Sequence, residues 1–270
     1  MFLRIISALV LVPVVLALVF FAPPPFLLAA LGMVGTLSLR EFYQLARNME
    51  LGGQPWFGYT GFWVLLIGLY VREQFLPAAA LLGGLLVAAF LAAMWQHVPM
   101  RRRVTSLMVN LTGILYLGLF LYPALPIRYE FGEKLGLHWI LILLAVIWAG
   151  DVAALLVGKR FGRTLFSPLI SPKKTNEGAV AGLLAGMIAA LALQIFFFTE
   201  LPLGHVAIVS LLLGIVGQLG DLAESMLKRA ADTKDSSSLI PGHGGVLDRI
   251  DSLLFAFPVL YIYLLRLYGP

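Results

Sequence analysis

The 270-residue chain contains no cysteine, which excludes disulfides, thiolate metal sites and cysteine nucleophiles. Charge is nearly as scarce: 12% of the residues are Asp, Glu, Lys or Arg, against about 25% in a soluble globular domain. With only four His, any metal must be held by oxygen or by one of those imidazoles, and oxygen ligands suit hard cations such as Mg²⁺. No polar stretch is long enough for a soluble domain, and no internal repeat or low-complexity segment stands out. What the chain has in excess is apolar surface, with 60% hydrophobic residues and a mean hydropathy of +0.94. Apolar runs long enough to cross a hydrocarbon core of about 30 Å recur from end to end. The sequence therefore reads as an all-α polytopic membrane protein, a single integral membrane domain over residues 1–270.

Nine transmembrane helices are expected, at about 5–21, 25–44, 56–71, 75–95, 105–125, 138–158, 178–198, 203–228 and 252–268. The opening "MFLRIISALVLVPVVLALVFF" has the look of a signal peptide, but no small-residue cleavage site precedes "APPPF" and further spans follow at once. A retained first helix is the better reading. Strings such as "GGLLVAA" and "GLLAG" suit close helix packing in lipid, where small side chains let backbones approach. Lys and Arg concentrate on cytoplasmic loops. With the N-terminus inside, only Arg72, Arg128, Lys134 and Arg266 of the 19 basic residues fall outside. The orientation is thus N-terminus cytoplasmic and C-terminus periplasmic. The net charge of +5 then reflects topology and attraction to lipid headgroups, and calls for no nucleic-acid partner.

Acids inside apolar spans are costly and mark functional sites or water-filled cavities by default. Asp151 lies in "LAVIWAGDVAALLVG", and Asp221 and Glu224 in "GIVGQLGDLAESMLKR". On a continuous helix Asp221, Glu224, Ser225 and Lys228 share one face, which must look toward protein or water. Past Arg229 the segment "AADTKDSSSLIPGHGG" cannot continue as a span. Its Pro241, Gly242, Gly244 and Gly245 let the backbone turn sharply and approach a ligand. Asp248 and Asp251 follow at the start of the last helix, where a carboxylate also serves as a cap. Capping accounts for one Asp, but not for two acids, Arg249 and His243 together. A third polar patch, "GKRFGRTLFSPLISPKKTNEG" from Gly158 to Gly178, offers Lys173, Lys174 and further bases to phosphates. A cytoplasmic loop is basic in any case, so this patch alone decides nothing. Together the three patches supply acids for a metal and bases for phosphate at the cytoplasmic edge. Residues 138–270 read as the catalytic helices and loops, and residues 1–137 as a scaffold with room for dimer contacts.

The string "SMLKRAADTKDSSSLIPGHGGVLDRID" resembles the signature S-x-x-K-R-x4-K-D-x6-G-H-G-G-x-x-D-R-x-D of the phosphatidate cytidylyltransferases. Its fixed positions here are Ser225, Lys228, Arg229, Lys234, Asp235, Gly242, His243, Gly244, Gly245, Asp248, Arg249 and Asp251. "SPKKTNEG" and "AGDVAALLVGKRFGR" are similar to two further elements of that family. The chain departs at Asn176, where the resemblance leads one to expect an aromatic. The resemblance is firm over roughly the last 130 residues and covers the first half only as hydrophobic spans.

The resemblance implies Mg²⁺-dependent transfer of CMP from CTP to phosphatidic acid, giving CDP-diacylglycerol and pyrophosphate. It implies a metal held by Asp221 and Asp248, a monovalent cation such as K⁺ nearby, and a homodimer. Lys228 and Lys234 are then catalytic candidates beside the two acids. Lys173, Lys174, Ser225, Arg229, Asp235, Gly242, His243, Gly244, Gly245, Arg249, Asp251 and Asp151 are candidates for binding substrate. The expected setting is a bacterial inner membrane, multi-pass, with the site on the cytoplasmic side. The rival readings are another CTP-using transferase acting on a membrane lipid phosphate and, from a different class, a secondary transporter. A transporter would show two symmetric halves, whereas here the polar residues crowd into the C-terminal half.

Overall fold

The structure is a computed structural model that describes residues 2–75, 77–240, 242 and 244–269. Ten helices and one hairpin follow in order: α1 (Phe2–Phe21), α2 (Pro24–Asn48), α3 (Pro55–Phe75), α4 (Ala78–Met94), α5 (Met100–Leu121), α6 (Ala124–Tyr129), α7 (Glu133–Phe161), β1 (Leu165–Ser167), β2 (Ser171–Thr175), α8 (Asn176–Phe196), α9 (Leu203–Ala230) and α10 (Leu247–Tyr268). Each expected span coincides with a helix. Among the described residues six stretches are long and apolar enough to cross a membrane, which makes this a multi-pass membrane protein. The apolar parts of α1, α3 and α4 are shorter, at Leu9–Phe21, Pro55–Val71 and Ala78–Met94.

The chain divides into two compact units, residues 1–122 with 227–249 and residues 123–226 with 250–270. In the first, α5 packs against α2, α3 and α4 around fully buried Leu39, Phe62, Leu65, Leu66, Ile114 and Leu117. Two donors there meet on one buried amide, as a site away from water favours. Tyr43 donates to Asn110 Oδ1 at 2.8 Å, and the same oxygen accepts the Gln54 backbone N–H at 3.0 Å.

In the second unit α7 and α8 form the tightest helix pair. A Cβ on Gly182 would stand 2.9 Å from the Gly150 carbonyl oxygen, and one on Gly186 2.8 Å from that of Val146. Small residues at these positions let two backbones touch, the packing that "GLLAG" foretells. The middle of the basic patch expected as a loop is instead the antiparallel hairpin β1–β2, pairing Leu165 with Thr175 and Ser167 with Ser171, while Lys159 and Arg160 belong to the last turn of α7. That is a departure from an all-helical chain. Its cause is local: Ser-Pro steps favour extended backbone, and the strand end feeds directly into the cap of α8. Helix α10 also begins five residues earlier than expected, so Asp248 and Asp251 both lie inside it.

Candidate active site

Helix α9 runs unbroken from Leu203 to Ala230 and carries Asp221, Glu224, Ser225 and Lys228, the last three buried. It ends where small residues begin. Asp232 takes a left-handed φ of 53°, and the Thr233 N–H reaches back to the Lys228 carbonyl at 2.9 Å, a Schellman-type stop. The chain then turns through Ser236 and Ser237, closes a short bridge from the Ile240 N–H to the Gly244 carbonyl at 2.8 Å, and enters α10. Gly242 and Gly244 have φ of 78° and 81°, a region glycine enters without steric cost. His243 and Pro241 lie outside the described residues.

In the first unit this turn folds around Asp248, whose side chain is 5% exposed. Its Oδ1 accepts from Lys228 Nζ at 2.6 Å. Its Oδ2 accepts the Ser236 N–H at 2.9 Å and the Gly245 N–H at 2.8 Å, and lies 2.8 Å from Ser236 Oγ. The bond to Gly245, three residues back, is the reciprocal half of a capping box. Asp248 is thus both a cap and half of a buried ion pair. Lys228 and Asp248, 20 residues apart in sequence, are signature residues brought into contact here.

A residue outside the expected set completes the cluster. Glu41, on α2 and 4% exposed, accepts the Val246 N–H at 3.0 Å and the Leu247 N–H at 2.8 Å. It also accepts from Ser237 Oγ at 2.6 Å, and Ser236 Oγ lies 2.9 Å from its Oε2. Ser236 has one hydroxyl proton, so it donates to Glu41 or to Asp248 and links the two carboxylates. The signal was present in "SLREFYQL": Glu41 sits inside the expected second span, where an acid is as costly as Asp151 or Asp221.

In the second unit Lys174, from β2, forms an ion pair with Asp221, the side chains being 31% and 29% exposed. Ser225 Oγ donates to Asp221 Oδ1 at 3.4 Å. The hairpin that presents Lys174 is anchored by Glu177, which accepts the Arg163 N–H at 3.0 Å and the Thr164 hydroxyl at 3.1 Å. Thr175 caps α8 by accepting the Gly178 N–H at 3.2 Å. Asn176, the one departure from the expected pattern, donates to Thr164 Oγ1 at 3.1 Å and so ties the strand ends together. Asp151 lines a small cavity with Gly150, Ala154, Gly182 and Gln218. In α10, the Asp251 carboxylate accepts the Ser252 N–H at 2.6 Å, and Gly220 of α9 meets the Asp251 carbonyl without room for a Cβ. Lys173, Arg229, Lys234, Asp235 and Arg249 are exposed, and Arg229 donates to the Thr233 carbonyl at 3.1 Å.

Among the described residues no group of three or more His, Asp or Glu is gathered to hold a metal. The donors nonetheless have the right chemistry for Mg²⁺, hard carboxylate oxygens with hydroxyls beside them. Asp221 is accessible and its countercharge, Lys174, is a flexible side chain. At Asp248 only Oδ1 is open to exchange, and a cation there would take the place of the Lys228 ammonium.

Residues 2–267 match the model of the cytidylyltransferase family. A phosphatidate cytidylyltransferase of Synechocystis is 34% identical over 88% of each chain. Those of Staphylococcus saprophyticus and Bacillus subtilis are each 41% identical, over 58% and 57% of this chain. The chain spans 58% and 56% of the length of these last two relatives.

Proposed function

Because the chain belongs to the cytidylyltransferase family, we propose that it transfers CMP from CTP to phosphatidic acid, as the names of its relatives describe. A phosphatidate oxygen attacks the α-phosphorus of CTP. The new P–O bond gives CDP-diacylglycerol, and the bond from the α-phosphorus to the bridging oxygen breaks to release pyrophosphate. The phosphatidate oxygen is already anionic at neutral pH, so the step needs no general base. It needs two anions held in line and their repulsion offset. The observation that carries this reading is the buried Lys228–Asp248 pair, set on the signature turn of a chain matched by the family along nearly its full length.

Lys228 and Lys234 are the proposed catalytic cations, stabilising charge on the transferring group and the leaving pyrophosphate. Lys173, Lys174, Arg229 and Arg249 bind phosphate oxygens of the two substrates. Ser225, Asp235, Asp251 and Asp151 orient them, and Gly242, His243, Gly244 and Gly245 shape the turn that carries Asp248. Asp221 and Asp248 are the acids for Mg²⁺, with K⁺ as the second cation. When bound, the divalent ion neutralises phosphate charge. Mg²⁺ dependence, the homodimer, the inner-membrane location and the cytoplasmic face are parts of the same reading. The homodimer rests on the resemblance alone, and the others are supported by the residue types, the basic-residue asymmetry of the sequence and the bacterial relatives.

The test is direct. Pure protein with labelled CTP, Mg²⁺ and phosphatidic acid is expected to yield pyrophosphate and a liponucleotide, and Asp221→Asn to lower that turnover by about 100-fold or more. Near-normal Mg²⁺-dependent turnover in Asp221→Asn would overturn the metal assignment. Product formed only with a different lipid phosphate would favour the neighbouring transferase reading, and no product with any would favour transport.

A further inference from the structure

We propose that Glu41 is a positioning residue for the signature turn, acting on Asp248 through Ser236 and through the first turn of α10. This rests on the activity proposed above. Helix N-termini leave backbone N–H groups without partners, and at α10 the ones on Val246 and Leu247 are taken by a carboxylate about 200 residues earlier in the chain. The same carboxylate takes the Ser237 hydroxyl and lies beside that of Ser236. Four donors converge on one buried group, and all of them belong to residues 236–247.

A purely space-filling side chain would not need this arrangement. Both Glu41 oxygens are used, Oε1 by Ser237 and Val246, Oε2 by Ser236 and Leu247. Asp248 is built the same way from the other side, sharing Ser236. Gly245 fits between them because it has no side chain: a Cβ there would collide with Ser236 Oγ and the Glu41 carboxylate. The turn is therefore clamped between two carboxylates with one serine as the joint. Displacing one clamp rotates the start of α10, and with it Asp248 and its bond to Lys228. Glu41 lies in the C-terminal third of α2, so a helix of the N-terminal half sets the geometry of the C-terminal signature.

The experiment compares Glu41→Gln, Glu41→Asp and Ser236→Ala with the unaltered protein in detergent. Three readouts are taken: kcat and KM for CTP, apparent Tm, and amide exchange of residues 244–248. Glutamine matches the shape of Glu41 but presents an NH2 group to two of the four donors. Positioning predicts that kcat of the folded Glu41→Gln protein falls on the order of 10- to 100-fold with KM for CTP changed far less. It also predicts faster exchange at Val246 and Leu247, and a Glu41→Gln/Ser236→Ala double variant much less impaired than the product of the two single losses. A merely structural role would lower Tm and yield while the folded fraction keeps wild-type kcat, and that result overturns the proposal, as does multiplicative loss in the double variant. If Glu41→Gln does not fold, Glu41→Asp keeps the charge but withdraws it by one methylene. Its kcat is expected to fall about tenfold, and wild-type kcat in that variant overturns the proposal. Unaltered protein that makes no liponucleotide would refute the activity instead. The exchange rates of Val246 and Leu247 then decide for or against the clamp by themselves.

Discussion

Replacing Lys228 with Met tests whether the signature lysine, proposed above as a catalytic cation, also holds the turn together. In the structure its ammonium lies 2.6 Å from Asp248 Oδ1, with the two side chains 10% and 5% exposed. An exposed pair of this kind contributes about 0–1 kcal/mol. A buried one differs because removing one partner strands the other, at about 3–5 kcal/mol. In Lys228→Met the Asp248 carboxylate still has Ser236 and Gly245 as donors to Oδ2, so the lower end, about 3 kcal/mol, is expected. For a chain of this size, roughly 2–4 °C of Tm accompany each kcal/mol, which puts the fall at about 6–12 °C.

Asp248→Asn should cost as much or more. One amide oxygen cannot serve both Lys228 on one side and the Ser236 and Gly245 donors on the other, so an NH2 group must face a donor. The assay is intrinsic-fluorescence unfolding of the detergent-solubilised protein, with Lys159→Met as an exposed control expected within about 0.5 kcal/mol of wild type. A Lys228→Met protein that unfolds within about 1 °C of the control would refute the buried-pair reasoning. Lys228 would then contribute to phosphate chemistry alone and not to the stability of the turn.

Gly244→Ala places a Cβ at a φ of 81° and 2.6 Å from Asp248 Oδ2. It should lower stability by about 1–2 kcal/mol from backbone strain alone and reduce turnover, whereas Gly204→Ala, whose Cβ meets nothing within 4 Å, should leave both unchanged. Unfolding scans and the liponucleotide assay read the two outcomes. Glu177→Gln removes the charge that receives the Arg163 and Thr164 donors, so the hairpin should loosen and trypsin should cut after Arg163 faster than in wild type. Equal cutting rates would show that the hairpin holds without this anchor.

The hydrophobic plan and the polar stripe of α9 were legible in the sequence because both are local. Span length follows from apolar run length, and the positions of Asp221, Ser225 and Lys228 on one face follow from helical periodicity. The hairpin at 165–175 was not legible, since the same residues, Lys173 and Lys174 among them, have one composition whether they form a loop or a hairpin. What distinguishes them is the pairing of Glu177 and Asn176 with Thr164, twelve or thirteen residues apart. Glu41 was missed for a related reason. Its four partners lie about 200 residues away, and no pattern within α2 reveals them. The cost of an acid in a span applied to it equally, so the same test that marked Asp151 and Asp221 points to Glu41 when applied to every span.

The bonds of the turn also redistribute the work among the signature residues. A glycine-rich turn before a helix is a natural cradle for phosphate, because its backbone N–H groups are free to bind an anion. Here the N–H groups of Gly245, Val246 and Leu247 are already held by Asp248 and Glu41. Two protein carboxylates occupy the place at the start of α10 where a nucleotide phosphate would dock, and their negative charge repels one. Under the proposed function, phosphate binding then falls to side chains, and Arg229, Lys234 and Arg249, within or next to the turn in sequence, are exposed. The glycines serve a different end. Gly242 and Gly244 supply the left-handed backbone, and Gly245 leaves room for Ser236 and Glu41, so the turn is shaped around its own carboxylates rather than around the ligand.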